Sequence, residues 1–408
     1  MKAKIFEILR LLAGRAFVIG LVAIVTGCAS TPERKPLPLD LTTQAHIPGI
    51  PDARLWGDEW PKFSLERFTT FTVADFRREY AGIYDGPHHY LAISGGGAEG
   101  AFGSGLLVGW TAAGTRPEFT MVTGISTGAL TAPFAFLGSD YDDELEAVYT
   151  NISTEDIFKK RNAIGAVFAD AMYDTKPLRS LLVKHFNADF IDAIARQHNR
   201  GRRLFIGTAN LDAGRSVIWN IGAIAASDYP GKMALIHDVI QASAAIPVLF
   251  PPVVIPVEAN GQPYDEMHVD GGTVSQVFVY PAAVDWKTIT KKLKVHGKPK
   301  VYVIRNSFLD PDYRGVKRKV FAIASRTIDS LIRYQGIGDL YQIYALCVRD
   351  GNDFNLAYIP SNFTQEPSES FDPVYMRKLF DLGYGMARAG YPWMKDPPGF
   401  HTMPASTN

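Results

Sequence analysis

Two glycine-rich turns hold the residues best suited to chemistry: Gly95-Gly-Gly-Ala-Glu-Gly100 and Gly124-Ile-Ser-Thr-Gly128. Apolar Tyr90-Leu-Ala-Ile-Ser94 precedes the first, and Ala101-Phe-Gly-Ser-Gly-Leu-Leu-Val-Gly-Trp110 follows it. Phe119-Thr-Met-Val-Thr123 precedes the second, and Ala129-Leu-Thr-Ala-Pro-Phe-Ala-Phe136 follows. Each therefore reads as strand, tight turn and helix. The first turn can aim bare backbone N–H groups at an anion. The second can hold Ser126 on a strand-to-helix elbow, where glycines avoid the clash a Cβ would make. Oxyanion donors and a serine nucleophile together point to acyl transfer. The competing role for Ser126 is an N-cap of the helix that follows.

Nucleotide chemistry fits these turns poorly. A phosphate-binding P-loop ends in Gly-Lys-Ser/Thr, whereas this stretch runs Glu99-Gly100-Ala101. Gly95, Gly97 and Gly100 match a dinucleotide fingerprint, but the acidic residue due at the end of the next strand is missing. Glu118 lies before that strand, and Ser126 occupies the turn after it.

A serine nucleophile needs a base. The order serine, acid, histidine leaves only His296 and His401 late in the chain, one in a charged stretch and one in a terminal Pro/Gly segment. Val269-Asp270-Gly271-Gly272 offers an acid entering a flexible turn, which taken alone is also a plain Asp-Gly turn.

Four blocks in this order resemble the patatin-like phospholipases: the loop at 95–100, Gly124-Ile-Ser-Thr-Gly128, Ala242-Ser-Ala-Ala-Ile-Pro-Val-Leu-Phe-Pro251, and Asp270-Gly-Gly272. The likeness covers roughly residues 88 to 280. It implies a three-layer α/β/α fold and lipid acyl hydrolysis by a serine–aspartate dyad, without a catalytic histidine. By that resemblance Ser126 is the nucleophile, Asp270 its base, and the Gly95, Gly96 and Gly97 backbone the oxyanion hole. Pro247 and Pro251–Pro252 would fix a loop beside the acyl chain. His268 shares a strand face with Asp270 and reads as a structural hydrogen-bonding residue. Glu99 departs from the pattern, since many members carry Arg or Lys at its place. A cation there favours an anionic intermediate or a phosphate head group, and Glu99 opposes it.

The elements that position these residues alternate along the chain. Helical spacing of Leu178, Leu181, Leu182 and Phe186 precedes a strand over 203–208 and a returning strand after the Asp212-Ala-Gly214 turn. A helix from His237 to Ala245 stops at Pro247, and 300–305 is a further strand. A long amphipathic helix over 316–347, a strand over 355–359 and a helix over 374–389 complete the pattern. Strands alternating with helices imply a mainly parallel central sheet covered on both faces.

Charge and composition exclude other classes. Lys+Arg and Asp+Glu both number 42, and no basic run is long enough to bind nucleic acid. Hydrophobic content of 47% permits a sizeable core. The proposed chemistry requires no metal or organic cofactor. The partners expected are a lipid or acyl-ester substrate and a membrane; the oligomeric state is left open.

Basic residues and the apolar run 16–25 lead into Thr26-Gly27-Cys28, an export-signal pattern. It resembles a bacterial lipobox, which implies lipidation of Cys28 and removal of residues 1–27. Ala29 after that cysteine implies the outer membrane, with the domain facing the periplasm. Lipidation leaves Cys347, in apolar surroundings, without a disulfide partner. The expected organisation is a Pro-rich tether over 28–51, an aromatic-rich extension packing on the domain over 52–84, a hydrolase domain over 85–395 and a tail over 396–408. The alternative function is an envelope binding or assembly protein that keeps the fold and has lost efficient catalysis.

Overall fold

Short runs of buried, β-favouring residues form one nine-stranded sheet in a computed structural model of the chain. The structure describes residues 34–60, 62–161, 170–310, 313 and 315–400, so Cys28 and His401 lie outside the described residues. The chain divides into two units, Met1–Lys35 and Pro36–Asn408, and every described strand and helix belongs to the second.

The sheet strands are β1 (Arg54–Trp56), β2 (His89–Ile93), β3 (Met121–Gly124), β4 (Arg203–Asn210), β5 (Arg215–Asn220), β6 (Val253–Ala259), β7 (Gln262–Asp270), β8 (Lys300–Phe308) and β9 (Asp353–Ile359). Their order is β1-β5-β4-β3-β2-β8-β9, with β7 also pairing with β4 and β6 pairing with β7. β4, β3, β2, β8 and β9 run parallel, while β1, β5 and the β6–β7 hairpin make antiparallel pairs. The central strands are buried on both faces, as a parallel sheet between helical layers requires.

Alternate residues feed two cores. Leu91 and Ile93 of β2 join the larger core beneath α1 (Gly100–Ala112), α2 (Thr127–Leu137), α3 (Lys232–Ser243) and, from the end of the chain, Pro373–Arg388. Tyr90 and Ala92 join the opposite core with Val277, Val279 and the long helix α4 (Val320–Asp350). The terminal helix, α5 (Pro373–Arg388), packs directly on α1. A Cβ on Gly105 would stand 2.0 Å from the Phe380 carbonyl oxygen, so only glycine lets these backbones approach so closely.

The register delivers the candidate dyad. Tyr90, Met121 and Arg203 align at one end of β2, β3 and β4, and Ile93, Gly124 and Ile206 align at the other. β5 occupies one edge of β4 from Phe205 to Asn210. The other edge takes β3 as far as Ile206, then β7, with Thr208 opposite Asp270. Asp270 thus arrives just beyond the end of β3, where the chain turns through Ser126.

Residues 36–50, within the expected tether, pack on the domain. Leu37, Ile47 and Ile50 are buried in the main core, and Pro36 and His46 form bridges to Asp265 and Glu258. These three apolar residues follow no period, so they gave no sign of an ordered element, yet they fill the side of the β6–β7 hairpin. The sheet itself begins at Arg54, upstream of the expected domain start at 85. Phe76 and Tyr80 of the 52–84 stretch are buried in a third cluster with Ile289 and Leu293. Phe400, in the expected tail, lies against Tyr344 with ring centroids 4.7 Å apart. Cys347 is buried and free.

Candidate active site

Ser126 sits between β3 and α2 with φ +55° and ψ −124°, an unfavourable conformation for a residue with a side chain. The flanking glycines make the turn sterically possible. A Cβ on Gly124 would lie 2.2 Å from the Gly128 carbonyl oxygen, and one on Gly128 would lie 2.2 Å from that of Ile93. The Ser126 N–H donates to Ser243 Oγ (3.0 Å), and Ser243 donates to the Gly207 carbonyl (2.7 Å). Ser126 makes no side-chain cap to α2, which removes the N-cap role.

The Ser126 hydroxyl acts on the Asp270 carboxylate, a hydrogen-bonding influence that favours its charged form. Burial of that carboxylate is the main cause that lifts its pKa to about 7, against the hydrogen bonds from Ser126 and from the Gly272 N–H, the latter 2.7 Å long. No histidine among the described residues hydrogen-bonds to Ser126 or Asp270. His296 is exposed and bonded to Asp85 (2.8 Å).

The glycine loop is pinned at its base by residues without a sequence signature. Asn306 donates from Nδ2 to the Ser94 carbonyl (3.1 Å), and its Oδ1 accepts from the Gly103 N–H (3.1 Å). The Gly95 N–H donates to the Gln276 carbonyl (3.2 Å). One of the three N–H groups expected in the oxyanion hole is thus engaged by a carbonyl. Gly96 and Gly97 have N–H groups with no hydrogen-bond partner among the described residues. Gln276 Nε2 also donates to the Gly272 carbonyl (3.1 Å), so one side chain spans the glycine loop and the Asp270 turn. Ser243 lies inside the 242–251 block, where serine beside alanines was its only signal. Gln276 gave none.

The loop after Ser243 carries Val248, a β-branched residue at φ +72°, with Val248 and Leu249 exposed. The Ala245 carbonyl at its start accepts from the Asp270 N–H (2.9 Å). Glu99 is half-buried and acts electrostatically on Arg305, a buried residue of β8. Burial, then the Arg333 charge, pushes Arg305 down to about 10, against Asp339 and Glu99. A cation therefore stands near the loop despite the departure at Glu99.

His268 is fully buried away from the dyad. Its Nδ1 meets Thr208 Oγ1 at 2.9 Å and its Nε2 meets Glu266 Oε2 at 3.2 Å. Glu266 is bonded in turn to Arg54, and Trp219 Nε1 donates to Thr208 Oγ1 (2.9 Å). Burial holds His268 neutral, which makes Nε2–H the donor to Glu266 and leaves Nδ1 to accept from Thr208. Among the described residues no cluster of His, Cys, Asp and Glu is arranged to hold a metal ion.

A serine on a strained strand-to-helix turn, a buried carboxylate and free backbone donors thus meet beyond the end of β3 in an α/β/α fold. Residues 91–283 match the model of the patatin-like phospholipase family. Among solved structures, the chain is similar to VipD from Legionella pneumophila, at 13% identity over 75% of this chain and 66% of that one, with a TM-score of 0.37. It is also similar to the type III effector protein ExoU, at 12% identity over 74% of this chain and 53% of that one, with a TM-score of 0.19. The chain thus spans less than two thirds of the length of either. No curated protein matches it.

Proposed function

We propose that the protein is a serine lipid acyl hydrolase in which Ser126 and Asp270 act as a dyad. The observation that carries this reading is a serine on a positive-φ turn acting on a buried carboxylate that has no cationic partner among the described residues. Such a carboxylate is a stronger base than an exposed one and titrates near working pH. Ser126 Oγ attacks the acyl carbonyl while its proton passes to Asp270. The oxyanion is held by the Gly96 and Gly97 N–H groups. Collapse of the intermediate expels the alcohol, which takes the proton back from Asp270. Water, deprotonated by the same carboxylate, then attacks the acyl-enzyme, and collapse releases the fatty acid as Asp270 returns the proton to the departing Ser126 Oγ. Val248 and Leu249 supply an exposed apolar surface beside this site for the acyl chain.

The fluorophosphonate reaction tests the proposal: stoichiometric labelling of Ser126, abolished in Ser126→Ala, is expected. A folded wild-type protein that resists the probe would leave the envelope-binding alternative, which no comparison favours.

We infer further that Cys28 is lipidated and tethers the domain to the outer membrane of a bacterial envelope, facing the periplasm. No helix among the described residues is long and apolar enough to cross a membrane, so attachment would rest on the N-terminus. Mass spectrometry of the membrane-purified protein should find a diacylated Cys28 as the first residue, and an unmodified N-terminus would refute the anchor.

A further inference from the structure

A cavity of about 370 Å³ lies toward the end of the sheet opposite Ser126. It is bounded by the first residues of the central strands, by the 278–286 stretch and by the segment around Trp56 and Trp60. Met121 opens β3, and Ser126 follows its end, so the two sites stand roughly 15 Å apart along the strand direction. Domain interiors pack with few voids larger than a water molecule, and a space this large falls in the range of small-molecule sites.

The wall is apolar where it is deepest, with Tyr90, Met121, Phe205, Ile218, Phe278 and Trp286. Its polar groups are largely engaged. His88 meets Tyr90 through Nδ1 (2.9 Å) and the Ile83 carbonyl through Nε2 (2.9 Å). Asn220 accepts from the Ala223 N–H (3.1 Å). Its charges are also paired, with one exception, and Arg67 and Arg215 each stand between two carboxylates. Arg54 pairs with Glu266, and Arg67 pairs with Glu79 (3.0 Å) and Asp52 (4.0 Å). Glu59 pairs with Arg215 (2.7 Å) and His46 with Glu258 (4.0 Å). Arg203 has no carboxylate partner among the described residues. It gives one nitrogen to the His198 and Arg202 carbonyls and lies over the Tyr80 ring at 4.9 Å. The remaining guanidinium donors have a planar geometry that matches a carboxylate.

A ligand for this space therefore needs one anionic group, a long apolar body and little other polarity. We propose that the cavity binds a long-chain free fatty acid, with its carboxylate on Arg203 and its chain along the aromatic and aliphatic wall. A nucleotide or sugar would bury many hydroxyls and ring nitrogens against a wall with few unsatisfied polar groups, Trp286 Nε1 among them. The proposal does not depend on Ser126 being a nucleophile.

The test uses 9,10-dibromostearate, whose bromines quench nearby tryptophans, on the full chain carrying Ser126→Ala. Trp56, Trp60 and Trp286 line the cavity, and Trp110, Trp219 and Trp393 do not. Saturable quenching of part of the emission is expected, and it should vanish in the Trp56→Phe, Trp60→Phe, Trp286→Phe triple variant. The methyl ester, lacking the charge, and Arg203→Met should each bind about tenfold or more weakly. Ile218→Phe narrows the space without touching the charge and should weaken binding too. Circular dichroism establishes which variants fold, and the ester comparison on unaltered Arg203 keeps the test decisive if Arg203→Met does not. Non-saturable quenching, equal binding of acid and ester, or quenching that survives loss of Trp56, Trp60 and Trp286 together would overturn the proposal. Loss of fluorophosphonate labelling would instead remove the hydrolase reading and leave this site standing.

Discussion

Two buried carboxylates four residues apart on β7 show how one strand can hold a structural acid and a reactive one. Glu266 and Asp270 are both almost fully shielded from solvent. Burial alone would raise both pKa values. At Glu266 the His268 hydrogen bond and the Arg54 charge outweigh burial and hold the carboxyl below its usual range. At Asp270 only a hydroxyl and one N–H oppose burial, and the carboxyl rises to about 7. The difference is the neighbouring cation. A paired acid stays a spectator at every working pH, whereas an unpaired one can take up and return a proton.

The largest effect expected from this contrast is on turnover. Asp270→Asn keeps the size and the acceptor for Gly272 but cannot receive the serine proton. Ester hydrolysis should fall on the order of 10⁴-fold, as when a serine loses its base. Glu266→Gln should leave the rate per folded molecule within about threefold, because Glu266 meets the site only through structure. An equal loss of activity in both variants would erase the distinction. Stability should show the reverse order. Glu266→Gln strands the Arg54 charge, and removing one member of a buried pair costs about 3–5 kcal/mol. Chemical denaturation at pH 7.5 would measure it, and a cost below ~1 kcal/mol would mean that Arg54 finds another partner.

The same contrast explains which parts of the molecule were legible in the sequence. The central strands and both glycine turns stood out because buried parallel strands are continuous apolar runs and the elbow tolerates few residue types. The β6–β7 hairpin did not. Its outer strand carries Pro256, and its inner strand reads Gln-Pro-Tyr-Asp-Glu-Met-His-Val-Asp, because Glu266 and His268 bury polar atoms that satisfy one another. No local pattern reports that Arg54, 212 residues away, supplies the balancing charge. Asp270 was found through the ordered set of motifs, while Gln276 and Asn306 act through contacts that no spacing encodes. The loss of the Gly95 N–H to the Gln276 carbonyl was hidden for the same reason. The apolar residues of 36–50 lack periodicity because they fill gaps in a core rather than form a face of their own.

Titration sharpens the comparison next. In the folded protein Asp270 keeps its proton up to about pH 7, whereas in the unfolded chain an aspartate releases it near ~3.9. Its raised pKa contributes stability that is complete below the unfolded value and is lost as pH rises through the folded one. Asp270→Asn should therefore gain on the wild type between pH 4 and pH 8, by on the order of 2–4 kcal/mol. Glu266, with a lowered pKa, contributes in the opposite sense and loses its share toward acid pH. Activity should fall about tenfold per pH unit below 7, because only ionised Asp270 accepts the proton. A wild type and Asp270→Asn with parallel stability curves would mean that Asp270 is ionised throughout.

The smallest effect concerns Glu99, a carboxylate between these extremes, half-buried and acting on Arg305 through space. It draws on the Arg305 charge. Glu99→Gln should free more of that field for a phosphate head group beside the glycine loop, while a neutral ester has no charge to respond. Because the interaction is partly screened, the gain is modest. The ratio of phospholipid to neutral-ester turnover should rise about three- to tenfold, and the effect should shrink in high salt. A ratio that stays fixed, or a change shared equally by both substrates, would show that Arg305 is too deeply buried to reach the head group. Glu99 would then belong with Glu266 as a structural acid, and substrate choice would rest on the apolar loop around Val248.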